Sequence, residues 1–222
     1  MNQGIDDVGA FFSAIAAGDV DEVRRMLDWE PRLMEETGPE GASVPLSALY
    51  AGQPRLADEL AARAGELSVF EAAAFDDTTR LEELITADRS VVNSWSADGW
   101  QPLHLAAYFG RAEAARLLLD ADAQVSQPSR NDARVQPLHA AAAAQHAELV
   151  WILIASDAEV DARQRHGWTP LHSAAANADI DSIQALLSAG ADPRAVNESG
   201  QTPLQLAPDD SVRSLLLGTE PA

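Results

Sequence analysis

The first candidates for chemistry in this chain of 222 residues are its five histidines, His104, His139, His146, His166 and His172. Imidazole moves protons near neutral pH and is a common metal ligand. Three of the five close the same short string, at intervals of 35 and 33 residues: Gln101-Pro102-Leu103-His104, Gln136-Pro137-Leu138-His139 and Thr169-Pro170-Leu171-His172. A residue that returns once per period reads as architecture, and helical layers about 10 Å apart would keep successive imidazoles from sharing one zinc ion. His146 opens a helix and His166 stands at a turn tip, so neither completes a ligand set. Nucleophilic catalysis finds no cysteine, no Gly-x-Ser-x-Gly string and no serine placed beside a histidine. The acid pairs Asp76-Asp77, Glu82-Glu83 and Asp209-Asp210 fall at helix starts, on polar faces and near the carboxyl end. Solvation and the helix dipole account for them there. No glycine-rich phosphate loop is present. The expectation is a chain that is not an enzyme and needs no metal and no cofactor.

The elements that carry these histidines form a series. A fourth, altered copy of the string, Thr202-Pro203-Leu204-Gln205, follows the third after another 33 residues. A 33-residue period opening on Thr-Pro-Leu-His resembles the ankyrin repeat, specifically over residues 90–207 and more weakly before them. The resemblance implies an all-α solenoid of stacked helix-turn-helix units joined by short β-hairpins. It also implies that the recurring histidine hydrogen-bonds the backbone and ties the turn to the helix.

The whole chain, residues 1–222, is expected to form one array of about seven units: 1–67 divergent, 68–201 regular, and 202–222 a shortened cap. Pro102 sits in a first turn, where its missing N–H costs nothing, and the helix from Leu103 to Phe109 stops at Gly110. Ala114, Leu117 and Leu118 then share one face of a second helix, as do Leu149, Ile152 and Leu153, and Ile183, Leu186 and Leu187. No single pair buries its own stripe, so only stacking completes the core. Faint units begin at Phe12, at Val44-Pro45-Leu46 and at Ser68; the second is too short for a projecting hairpin. Glycine at Asp98-Gly99-Trp100, His166-Gly167-Trp168 and Ser199-Gly200-Gln201 marks tips needing positive φ. The fifth unit carries two extra residues and Arg134 where glycine is expected, which predicts a tip of different shape. Pro208 should end the first helix of the last unit early.

Composition sets the remaining bounds. Net charge is −20, with 35 acids against 15 arginines and no lysine. Such a chain is repelled by nucleic acid and by anionic membrane, so neither is an expected partner. The sequence shows no signal pattern and no apolar run approaching the roughly 18 residues of a membrane span. A cytoplasmic monomer is expected, and the richness in Ala, Arg and Asp points to a GC-rich bacterial gene.

The resemblance implies a protein partner held in a concave groove of tips and first helices, by a scaffold, adaptor or inhibitor. The alternatives are an accessory subunit that guards a partner enzyme and an acidic decoy of a nucleic-acid-binding protein. Carried over unit by unit, the groove positions include Ala97, Asp98, Trp100, Tyr108 and Phe109. The fifth unit adds Asp132, Arg134, Ala143 and Ala144, and the sixth adds Arg165, His166, Trp168, Ala176 and Asn177. Trp, Tyr and Arg are frequent interface anchors, so Trp100, Tyr108, Phe109, Arg134, Arg165, His166 and Trp168 are the candidate contacts. Trp100 and Trp168 fit equally well as packing on the neighbouring hairpin. Trp151 should point outward, over a helix seam or toward a second contact, whereas Trp95 and Trp29 should pack locally.

Overall fold

The computed structural model describes residues 3–38 and 41–218, with side chains described from residue 7. Its helices come in consecutive pairs. Those before the regular repeats are α1 (Gln3–Ala17) with α2 (Val20–Trp29), α3 (Val44–Tyr50) with α4 (Pro54–Ala64), and α5 (Val69–Phe75) with α6 (Thr78–Ala87). The regular strings open α7 (Pro102–Tyr108), α9 (Pro137–Ala143), α11 (Pro170–Ala176) and the short α13 (Pro203–Leu206). Their partners are α8 (Ala112–Asp120), α10 (Ala147–Ala155), α12 (Ile180–Ser188) and α14 (Asp210–Leu217). Proline stands at the first turn of α7, α9, α11 and α13, and α13 stops two residues before Pro208, as the sequence requires.

The chain divides into two compact parts. One holds residues up to Glu71 together with Ser96–Asp98. Its core is Phe11, Ile15, Val23, Leu27, Leu46 and Leu60, all buried. Arg24 Nε and Nη2 donate to the two carboxylate oxygens of Glu59 (2.8 and 2.7 Å), which joins α2 to α4. Arg63 does the same for Asp28 at 2.6 Å. A hollow of about 970 Å³ lies in this part, walled by Phe12, Ile15, Thr37, Ala42, Tyr50 and others.

The second part holds Ala72–Trp95 and the chain from Gly99 onward. Here α9 packs between α7 and α11, while α10 packs between α8 and α12. Composition explains the first row. The alanine pairs Ala106-Ala107, Ala141-Ala142 and Ala174-Ala175 are fully buried, and side chains this small let the first helices approach closely. Leu118, Leu153 and Leu186 bury the stripe of the second row. Asp77, Asp179 and Asp209 cap α6, α12 and α14 by accepting backbone N–H bonds at 3.0, 3.2 and 3.0 Å.

The connections differ from the β-hairpins expected. Among the described residues there is no strand, only one isolated bridge between Thr37 and Ser43. The tips are tight turns closed by single bonds: Ser129 N–H to Val135 O (2.8 Å), Gln164 N–H to Trp168 O (3.0 Å) and Asn197 N–H to Gln201 O (3.0 Å). A ladder fails to form because the remaining donors are used elsewhere. Arg130, Arg165 and Glu198 donate their N–H to Gly99, Ala133 and His166 of the preceding tip, each at 2.9 Å. Asn131 and Asn197 side chains accept further tip N–H groups. Gly99, with φ +84°, must be glycine: a Cβ there would lie 2.9 Å from the Asn131 nitrogen. Among the described residues no helix is long and apolar enough to cross a membrane.

Candidate protein-binding face

The recurring histidines are buried ties. His104 Nε2–H donates to Val135 O at 3.0 Å, and its Nδ1 accepts the Gln101 N–H at 3.3 Å. His172 Nε2–H donates to Gln201 O at 3.1 Å, while the Thr169 N–H and hydroxyl both reach its Nδ1. His139 Nε2 reaches Ala162 O and Trp168 O at 3.0 and 3.2 Å. Each ring therefore joins the start of its own first helix to the chain leading into the next unit. Burial disfavours the imidazolium and pushes His104 and His139 down to about 4; it lowers His172 too. Such buried rings are fitted to architecture, and in His104 and His172 both nitrogens are committed.

His139 is the exception to full satisfaction. Its Nδ1 and the Gln136 Oε1 beside it are buried without a hydrogen-bond partner. Threonine at the equivalent position 169 supplies the hydroxyl that Gln136 lacks. His146, expected only as a polar helix opener, caps the end of the preceding first helix. Its Nε2 donates to Tyr108 O at 3.1 Å, and its ring covers Gly110, whose φ is +72°.

The match with known sequences follows this geometry. The family model described as ankyrin repeats (3 copies) fits residues 69–164 and 138–221. The chain belongs to the ankyrin-repeat family. No curated protein matches it.

Three of the candidate contacts meet in one place on this ankyrin array. Arg165, His166 and Trp168 line a hollow of about 560 Å³ together with Ala143, Ala176 and Asn177. Asn177 also has a structural task, since its Nδ2 donates to Ala143 O at 2.9 Å. Trp100, Tyr108, Phe109 and Arg134 are not among the residues of this hollow. Tyr108 is 47% exposed at the end of α7, its ring set edge-on to Phe109 with centroids 5.1 Å apart. Arg134 is exposed, with φ +51°. Ala97 and Asp98 group with the amino-terminal part, where Tyr50 Oη donates to Asp98 at 2.9 Å.

The tryptophans divide by their surroundings. Trp100 and Trp168 are half-buried against the histidine ties of their own units, at 5.6 Å from His104 and 5.9 Å from His172. Each thus packs locally and still presents an edge to solvent. Trp95 packs locally as expected, under the Arg130 guanidinium at 4.3 Å from the ring centroid. Trp151 is 49% exposed on α10. Trp29 corrects the expectation of local packing: it ends α2 and is 88% exposed. Its signal was present in the sequence, because the stripe of Val23, Met26 and Leu27 leaves position 29 off the buried face.

Proposed function

We propose that this chain is a non-catalytic protein-binding module, acting as scaffold, adaptor or inhibitor. Ankyrin repeats are generally protein–protein interaction modules, and the family is generally non-catalytic. The face we assign comprises the tips and first helices, with Trp100, Tyr108, Phe109, Arg134, Arg165, His166 and Trp168 as contacts. The observation that carries the reading is the hollow at the sixth unit. It gathers an indole, an imidazole and a guanidinium around Ala143, whose methyl leaves space for a partner's side chain. Tyr108 adds a large ring already turned to solvent. The array is held by buried ties before any partner arrives, so little ordering entropy is lost on binding. A cytoplasmic monomer accompanies this reading.

The test is retention of partners from a host lysate by wild type, by Tyr108→Ala/Phe109→Ala and by Trp168→Ala, each confirmed folded by circular dichroism. A protein held by wild type and lost by both variants supports the face. One held equally by all three places the interface elsewhere on the chain.

A further inference from the structure

The arginines of this chain divide by what their guanidinium groups hold. Arg24, Arg63, Arg89 and Arg116 each hold an ion pair within 2.8 Å. Arg111 and Arg163 donate to backbone carbonyls, and Arg130 lies on the Trp95 ring. As with the exposed Arg32 and Arg55, the guanidinium groups of the exposed Arg134 and Arg165 have neither an ion pair nor a hydrogen bond among the described residues. They stand on adjacent tips, because the Arg165 N–H donates to Ala133 O at 2.9 Å. Arg165 also lines the hollow of Trp168. The carboxylate of these two tips is Asp132, and Glu198 of the following tip faces His166 at 3.5 Å. Arg130, Arg134 and Arg165 outnumber them on a chain whose net charge is −20.

The backbone supplies a second observation. Gly99 and Gly200 occupy the tip position of their units with φ +84° and +75°. Arg134 holds that position with φ +51°, in a region that side chains enter only at a cost. Glycine would be unstrained there, and the Arg134 side chain holds nothing in the fold in return. Asp76, Asp122, Gln145, Asp157, His166 and Ala178 share this region, so what sets Arg134 apart is a long cationic side chain left exposed at a tip beside Arg165.

Resting on the binding face proposed above, we infer that the partner presents an acidic segment. One of its Asp or Glu side chains seats between Arg134 and Arg165, and an apolar neighbour enters the hollow against Trp168. The guanidinium fork matches a carboxylate bidentately, which gives this pairing direction as well as charge. The distant acids do not prevent it, because at physiological salt their field decays over about 8 Å.

The test pans random peptides, displayed with their carboxyl ends fused to the coat protein, on the full chain. Peptides recovered by wild type should be enriched in Asp or Glu beside an apolar residue. Synthetic amidated copies should bind Arg134→Ala/Arg165→Ala about tenfold more weakly, or worse. Arg134→Gly should also bind more weakly while unfolding at a higher temperature, which separates lost contact from lost fold. Basic or uncharged peptides would overturn the acidic segment, as would acidic ones that bind the double variant like wild type. If those peptides still need Trp168 and Tyr108, the binding face stands without it. No enrichment, or binding indifferent to every variant, would overturn both.

Discussion

His104 and His139 set the behaviour of the array at the scale of single residues. Both are neutral when folded, with pKa values pushed to about 4 by burial, against 6.5 for an exposed ring. The unfolded chain therefore binds more protons between these values. Stability is complete above about pH 6.5 and is lost as pH falls toward 4, by on the order of 3 kcal/mol per ring. Urea unfolding at pH 7 and pH 5 should show this loss. Gln205 already fills the histidine position in the last unit, accepting the Thr202 N–H at 2.8 Å. His104→Gln should thus keep the contact to its own helix start and reduce the pH dependence that His104 shares with His139 and His172; an unchanged slope would assign it to other groups. Gln136→Thr should give His139 Nδ1 the hydroxyl partner that His172 has, and raise stability by about 1 kcal/mol. Urea unfolding measures this, and a loss of stability would mean that the two orphaned atoms cost little.

Among the elements, the helices were legible in the sequence and the connections were not. Proline at the first turn, alanine pairs and i, i+3, i+4 leucines each have one local cause, so α7 to α12 follow from spacing alone. The tips depend on bonds between units, such as Arg165 N–H to Ala133 O, and no local pattern announces those. The same reason hid the task of His146, whose partner Tyr108 lies 38 residues away in the chain. The candidate face was legible in part. Arg165, His166 and Trp168 do share a hollow, because they sit at one tip. Tyr108 and Phe109 belong to another unit, and their spacing from the hollow is a matter of stacking. The turn after each first helix makes a direct prediction. Gly110, Gln145 and Ala178 all take positive φ there, at +72°, +61° and +54°. Ala178→Gly should stabilise by about 1 kcal/mol through relief of that conformation. Gly110→Ala should destabilise by more, because its Cβ would stand 2.7 Å from the His146 ring. Thermal unfolding of the two variants, moving in opposite directions, checks the assignment.

For the whole molecule, charge and surface matter more than any one contact. At −20 the folded chain repels itself. Its ion pairs, such as Arg24 with Glu59 and Arg116 with Glu148, lie at the surface, where water and salt screen them and each contributes little. Added salt should therefore raise the unfolding temperature, since screening relieves more repulsion than it removes attraction. A fall would show that the pairs dominate. Fold alone does not name a partner; the surface residues select it. Site-specific photo-crosslinking on the full chain is the most direct measurement of that selection. A photoreactive phenylalanine at position 108, or at position 176 beside the hollow, should capture the partner from host lysate, and one at position 151 should not. Capture at 151, with none at 108 and 176, would contradict the assigned face.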